Sequence, residues 1–356
     1  MRWIVDARTA IAGQTGGVSR VSAALCGALT RIATEGEITF VTTGRSRPEL
    51  ASDALMGQHA HIRIPNKLWS AGSFLRTTSF TESAARRIGE CHAAFFPNIG
   101  FLGRTTLPYT LLLHDLSFFL EPRWFSGRMR LWHAAVRPKE LIQNASHLFS
   151  VSETTKTDAV RMLDIPPERI TVLPIGPTGA SAGRETYLSP YVLAIGNGDP
   201  RKNTETAIKA VRELRKNPEW RDLHLVVLGS RPNTYEPWIV HEESADDERL
   251  ASLYRHARVF LYPSWYEGYG LPLHEATAHG TPSIASTSGA LPETAPPGTR
   301  FCDPAKPHHW IVALEDVLRS TAKLEERRHA LPAARDWNHA AEMIIEQLRA
   351  ISLQSG

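Results

Sequence analysis

The chain has only three cysteines among its 356 residues, Cys26, Cys91 and Cys302, far apart and odd in number. That excludes a disulfide framework and offers no metal-ligand spacing. Long apolar runs are also missing: LPYTLLLHDLSFFL is broken by His114 and Asp115 well short of the roughly 18 residues that span a bilayer. No membrane-crossing helix is expected. The opening MRWIVDAR reaches an acid at Asp6 and has neither the apolar stretch nor the small-residue cleavage site of a secretory signal, so a cytoplasmic protein is expected. Glycine and proline, 24 of each, are scattered without a period, which excludes collagen-like and disordered chains, and no short repeat marks a solenoid or propeller. The aromatic and basic residues form no nucleic-acid motif, so no nucleic acid is expected as a partner.

What is present is a chain too long for one compact core and suited to two domains. Its composition, 42% apolar and 22% charged, is that of a soluble globular protein. The net charge of +3 is unevenly spread: residues 1–180 hold 20 Lys+Arg against 14 Asp+Glu, and residues 181–356 hold 20 against 23, giving +6 and −3. A basic half can steer an anionic substrate or meet an acidic membrane surface, and it is equally what a solvated surface carries by chance.

Both halves alternate short β-rich runs with helical stretches, the pattern of parallel sheets with crossover helices. RWIVDAR (2–8) and EITFVTT (37–43) read as strands, and between them Val18, Val21, Leu25, Leu29 and Ile32 share one helical face. AAFFP (93–97), YTLLLHD (109–115), HLFSVS (147–152) and ITVLPIG (170–176) continue the series, with Ser152 as an N-cap. The stretch 176–190, rich in Gly, Ser, Pro and Thr, reads as a linker, and a second series begins at YVLAIGNG (191–198). It runs through LHLVVLGS (223–230), RVFLYPS (258–264) and TPSIAST (281–287), with helices near 204–215, 247–256, after Pro272 and near 308–319. The tail from about 325 to 353 is helical by composition, with Met343, Ile344, Leu348 and Ile351 as an apolar stripe.

In such sheets ligands bind outside the carboxyl ends of the strands. Four junctions there carry unusual residues. AGQTGGVSRV places Gly13, Gly16 and Gly17 before a helix, where free N–H groups and the helix dipole favour an anion, although glycine pairs in such loops are often plain turns. LLLHDLSFF runs an apolar strand into His114 and Asp115, which suit either a sugar hydroxyl or a satisfied structural pair. AIGNGDPRKN puts Arg201 and Lys202 before a helix, where cations oppose the dipole and suit a departing diphosphate. In FLYPSWYEGYGLPLHEATAHG a strand ends at Pro263, Glu267 and Glu275 bracket a glycine-rich loop, and Pro272 begins a helix. Two carboxylates around backbone amides fit a ligand with an anionic centre flanked by polyols, as in a nucleotide sugar.

EGYGLPLHE, Glu267 to Glu275, resembles the E-x7-E motif of retaining glycosyltransferase family 4, whose GT-B architecture sets two Rossmann-like, doubly wound α/β domains face to face across a cleft. TGGVSRV, HDLSFFLEP, FSVSETTKTD, PRKN, LVVLG, LASLYRHARVFLYPSWYEGYGLPLHEA and GTPSIASTSGALPE resemble their family counterparts in the same order. The resemblance implies an acceptor-binding domain over 1–180, a nucleotide-sugar domain over 181–335, and a helix over 336–356 crossing back to the first. It implies that Glu275 binds the ribose, that Glu267 holds the donor sugar, and that the amides at Gly268, Tyr269, Gly270 and Leu271 meet sugar and diphosphate. Lys202 matches the family's diphosphate lysine, Gly17, beside Gly16, its phosphate-facing glycine, and His114 the histidine beside the sugar. One position departs: after Gly196 the family often has Arg, and here stands Asn197, with Arg201 as the substitute cation.

Retention is implied by the family, and the absence of a D-x-D triplet leads us to expect a metal-independent reaction with no cofactor beyond the nucleotide-sugar co-substrate. The DAR…TGGVSR start and the PRKN turn look most like bacterial mannosyltransferases using GDP-mannose. UDP- or dTDP-sugar donors, a sugar-nucleotide epimerase, a phosphorylase and a non-catalytic nucleotide-binding module remain alternatives. The segment 121–140 mixes Trp124, Phe125 and Trp132 with Arg123, Arg128, Arg130, Arg137 and Lys139. Such a blend suits a glycan or polyprenyl-diphosphate-linked acceptor and peripheral contact with an anionic membrane, or an ordinary amphipathic helix with its aromatics in the core.

Overall fold

The computed structural model describes residues 1–14, 16–51, 58–177, 190–196, 198–229, 236–321 and 336–354. They form two compact units. One comprises Met1–Leu120, Ser126–Gly176 and the C-terminal helix Trp337–Gln354; the other comprises Glu121–Phe125 and the described residues from Pro177 to residue 321. The expected boundary at 180–181, most of the linker 176–190, and residues 325–335 of the tail lie outside the described residues.

In the first unit β1 (Trp3–Asp6), β2 (Ile38–Thr43), β3 (His59–Ile62), β4 (Ala93–Phe96), β5 (Tyr109–Leu113), β6 (His147–Ser150) and β7 (Ile170–Val172) make a parallel sheet in the order β3-β2-β1-β4-β5-β6-β7. The second unit holds β8 (Tyr191–Ile195), β9 (His224–Leu228), β10 (Ile239–Glu242), β11 (Val259–Tyr262), β12 (Ser283–Ser286) and β13 (Arg300–Cys302) in the parallel order β10-β9-β8-β11-β12-β13. Both are Rossmann-like: the winding reverses beside the first strand of each unit, at β1/β4 and at β8/β11, the place where open sheets of this kind generally bind ligands. The central strands are found where apolar runs predict them. Three of the four edge strands, HAHI, IVHE and RFC, escaped prediction because they carry no continuous apolar run, which an edge does not need, whereas the fourth, β7, lies in the apolar ITVLPI and was predicted.

Apolar alternation places helices on both faces of each sheet. In the second unit Val192, Ala194, Leu225 and Val227 pack with Ile208, Val211, Trp310 and Leu314 from the helices Thr204–Leu214 and Pro307–Thr321. Leu193, Val226 and Phe260 face the opposite way, against Leu253, Leu273 and Ala276 from the helices Asp247–His256 and Leu271–Ala278. In the first unit Val21, Leu25 and Leu29 of the helix Gly17–Ile32 are buried, while Val18 is half-buried and Ile32 exposed, so the predicted stripe is narrower than its sequence spacing.

The C-terminal helix belongs to the first unit. It packs on the helix Gly17–Ile32, burying Ile344, Leu348 and Ile351, and Trp3 Nε1 donates to Ser352 Oγ at 3.1 Å. Because Leu348 is fully buried, Leu348→Ala is expected to cost the first unit about 3 kcal/mol. Urea unfolding followed by tryptophan fluorescence checks this; an unchanged midpoint would contradict the packing.

Candidate functional site

At the carboxyl ends of the second unit's strands, two loops leave the neighbouring strands β8 and β11. After β8 the chain passes Gly196 and makes a 3-10 turn, Pro200–Lys202, capped by Asp199, whose Oδ1 accepts from the Arg201 N–H at 2.9 Å. Asn203, at φ 51°, then turns the chain into the helix Thr204–Leu214, and its Nδ2 donates to the carbonyls of Pro263 and Pro304 at 3.0 and 3.4 Å. The first bond ties the turn to the loop after β11 and the second to the loop after β13. The Trp265 N–H adds a second tie to the loop after β11, donating to the Arg201 carbonyl at 2.7 Å.

Held this way, Lys202 Nζ donates to Glu267 Oε1 at 2.7 Å and to the Tyr262 hydroxyl at 2.9 Å. The two charged side chains are 12% and 9% exposed, so they are largely out of water. Burial pushes the Glu267 carboxyl up, but the charges of Lys202 and then Arg201 outweigh it and hold the group below the ordinary carboxylate range. Tyr262 goes the other way: burial, then the Glu267 charge, raises its phenol well above the usual value, so it stays a neutral hydroxyl. Arg201 is committed elsewhere, to Asp199 through Nε and Nη2 at 3.2 and 3.1 Å, and acts on Glu267 through charge.

The Glu267 backbone is fixed from behind. Its carbonyl accepts from the Ala290 N–H at 2.9 Å, and Gly289, at φ 60°, lies so close that a Cβ there would be 2.6 and 2.7 Å from the Glu267 carbonyl oxygen and nitrogen. Only glycine fits. Beyond Glu267 the loop is buried through Gly268, Tyr269 and Gly270, and Tyr269 stacks on His274 with ring centroids 5.0 Å apart. Gly270, at φ 90°, caps the helix Leu271–Ala278; a Cβ would stand 2.5 Å from Leu291 Cδ2. Glu275 is buried on that helix, where its Oε2 accepts from the Tyr254 hydroxyl at 3.0 Å. Asn197 lies outside the described residues.

The structure therefore brings Lys202 and Glu267 into direct contact at the β8/β11 switch point and places Glu275 on the helix that their loop leads into. Tyr262, Asp199, Asn203, Tyr254 and Gly289 support them and were not singled out as site residues in sequence. Asn203, Tyr254, Tyr262 and Gly289 lie inside quoted family segments, which is the one signal that could have marked them.

In the first unit Gly16 caps the helix Gly17–Ile32 and both Gly16 and Gly17 are exposed, with no acidic residue in the first turn. His114 follows β5, and its Nε2 lies 2.8 Å from the Pro97 carbonyl just after β4. A carbonyl only accepts, so Nε2 carries the proton and Nδ1 is left as an acceptor. Burial keeps this imidazole neutral by lowering its pKa. Asp115 serves the chain close by, its Oδ1 accepting from the Ser117 N–H and hydroxyl at 2.9 and 2.5 Å. The segment 121–140 divides between the units, the turn Pro122–Trp124 falling in the second and the helix Gly127–Val136 in the first, and its aromatics are half-buried, so neither a core helix nor a bare surface describes it. Leu131 is 72% exposed. His133 stacks on Phe118 at 4.6 Å beside a groove of about 490 Å³ lined by Phe118, Phe119, Arg137 and Lys139. Among the described residues no group of three or more His, Cys, Asp or Glu could hold a metal ion, and no helix is long and apolar enough to cross a membrane.

Comparison with known proteins supplies a frame for this geometry. Residues 15–176 match the model of the family described as Glycosyltransferase Family 4, and residues 189–320 that described as Glycosyl transferases group 1. The chain is 29% identical over 232 residues to O-antigen chain mannosyltransferase B of Escherichia coli, covering 57% of this chain and 60% of that protein. It is 31% identical over 251 residues to the MMP alpha-(1->4)-mannosyltransferase of Mycolicibacterium hassiacum, covering 64% and 60%. The matches thus span about 60% of these relatives' length. Among solved structures, sucrose-phosphate synthase from Thermosynechococcus elongatus shares the fold at TM-score 0.68 and 18% identity, over 99% of this chain and 97% of that one.

The ion pair makes a stability prediction. Lys202→Met strands a buried carboxylate and Glu267→Gln a buried ammonium, each expected to cost about 3 kcal/mol, while the double variant falls closer to wild type than either. The wild-type contribution of a depressed carboxyl is complete above the ordinary glutamate value of 4.5 and is lost as pH falls below it. The gap between wild type and Lys202→Met should therefore narrow below that pH. Urea midpoints between pH 7 and 3 decide it; additive single-variant costs would contradict the pairing.

Proposed function

Because the chain belongs to glycosyltransferase family 4, we propose that it moves a hexose, mannose from GDP-mannose, with retention at the anomeric carbon, onto a glycan or polyprenyl-diphosphate-linked acceptor in cell-surface polysaccharide synthesis. The observation that carries this reading is the buried Lys202–Glu267 contact at the β8/β11 switch point. Mannosyl transfer in particular draws support from the names of the two bacterial relatives.

In the proposed reaction the bond from the anomeric carbon to the diphosphate oxygen breaks and negative charge grows on the leaving group. Lys202 meets that charge, with Arg201 and the loop amides from Gly268 to Leu271 around it, so this chain's own cations do the neutralising and no divalent ion is called for. Glu267, kept ionised by Lys202, has roughly four lone-pair sites, which gives it capacity for sugar hydroxyls beside the bond from Lys202. Glu275 takes the ribose hydroxyls. His114, with Nδ1 as acceptor, takes a hydroxyl of the sugar. A leaving phosphate that accepts the acceptor's proton removes the need for a separate base. The groove beside Phe118 and Phe119, with Arg137 and Lys139 at its rim, offers an apolar floor and cations to a lipid-linked acceptor and supports peripheral contact with an anionic membrane at the cytoplasmic face.

GDP is expected to raise the melting temperature more than UDP or dTDP, following RT ln(1+[L]/Kd). With GDP-mannose and a membrane-derived acceptor fraction, product retains the donor's anomeric configuration with chelator present, and Lys202→Ala lowers kcat by about 10²-fold or more. Stabilisation by UDP or dTDP alone would move the donor assignment. Conversion of the sugar without transfer would mark an epimerase, and no turnover with any donor would mark a binding module.

A further inference from the structure

In the core of the second unit three aromatic rings follow one another between the helix Asp247–His256 and β11. The Tyr254 ring meets Phe260 edge-on with centroids 5.4 Å apart, and Phe260 stacks on Tyr262 at 5.5 Å with 28° between the planes. Tyr254 and Tyr262 are 1% exposed and Phe260 not at all. A phenol sunk in an apolar cluster gives up its water, so a hydroxyl is worth keeping there only where it finds a partner. Phenylalanine fills the middle place, and the hydroxyls stand at the two ends of the column. Packing alone would be served by phenylalanine at all three.

Each end meets a charged group of the candidate site. The Tyr254 hydroxyl donates to Glu275 Oε2 at 3.0 Å. At the other end the Tyr262 hydroxyl accepts from Lys202 Nζ at 2.9 Å and gives its own proton to Glu267, whose Oε1 is 2.7 Å from the same Nζ. Lys202, Glu267 and Tyr262 thus close a ring of hydrogen bonds. An ammonium has three donors, and two are spent here on β11 and its loop. That gives the third a set direction, for which a phosphate oxygen is a suitable partner. Without the two bonds the four-carbon stem is free to choose among rotamers, and the direction is lost. Glu275 is restrained in the same way, since one of its oxygens is held by Tyr254 while the carboxylate keeps the acceptor capacity that a pair of hydroxyls needs.

We propose that Tyr262 and Tyr254 are positioning residues of the donor site, Tyr262 aiming Lys202 at the diphosphate and Tyr254 setting Glu275 for the ribose. The assignment rests on the transferase reading. Tyr262→Phe and Tyr254→Phe test it, because each keeps its ring in the column and removes one oxygen. GDP, UDP and their 2′-deoxy forms are titrated calorimetrically into wild type and both variants, with guanosine and uridine as controls that lack a diphosphate. Wild type is expected to bind a nucleoside diphosphate and to prefer it both to its nucleoside and to its 2′-deoxy form. In Tyr262→Phe the affinity for the diphosphate falls roughly tenfold, the nucleoside binds as before, and the preference for ribose over deoxyribose is kept. In Tyr254→Phe the ribose preference shrinks about threefold or more, while the preference for diphosphate over nucleoside is kept. A hydroxyl that only completes the core weakens every probe alike, so equal losses across the probes, or no loss, overturn the role of the tyrosine concerned. If wild type discriminates as stated, that result leaves the transferase reading standing. A wild type that binds no nucleotide, or ignores its diphosphate and its ribose hydroxyl, removes the reading and the proposal together.

Discussion

The contact between Lys202 and Glu267 is the constraint around which the second unit's ligand face is organised. Two opposite charges brought 2.7 Å apart and largely out of water are expensive, and a well-packed apolar pair would hold the same loops at lower cost. The surrounding structure is arranged to keep them nonetheless. Asn203 pins the turn that carries Lys202, the Ala290 N–H and the bare Gly289 backbone pin the residue that carries the carboxylate, and Tyr262 fills the space beneath with a hydroxyl that stays neutral. Such effort makes sense for groups meant to face a ligand rather than to hold loops together.

The topology explains why those two residues meet. In a doubly wound sheet the chain leaves the first and fourth strands in opposite directions, so the loops after β8 and β11 part and open a crevice at their carboxyl ends. Lys202 stands in one loop and Glu267 in the other. The first unit repeats the order, and at its own reversal β1 ends at Asp6, held by a two-pronged bond from Arg8 at 2.9 and 2.7 Å, while β4 leads to the carbonyl that fixes His114.

Much of this was legible in the sequence, and what was not has physical reasons. The central strands and their helices follow from apolar runs and periodicity that only buried elements carry. Three of the four edge strands do not, since one side of each needs no partner, and only β7, in its apolar run, was readable. EGYGLPLHE and PRKN advertised Glu267, Glu275 and Lys202 because chemistry limits the residue types that can serve. Arg201 was expected to act beside Lys202, and its guanidinium also pairs with Asp199, two positions away, a contact that spacing alone does not report. Gly289 and Tyr262 are close to Glu267 only through the fold, being 22 and 5 positions from it.

The central claim is that Lys202 awaits the diphosphate of a nucleotide. Isothermal titration of wild type and Lys202→Met with guanosine and with GDP tests it most directly. The account predicts equal guanosine affinities and a GDP affinity at least about tenfold lower in the variant, the loss expected for a charge-assisted bond to phosphate. Equal GDP affinities would contradict it.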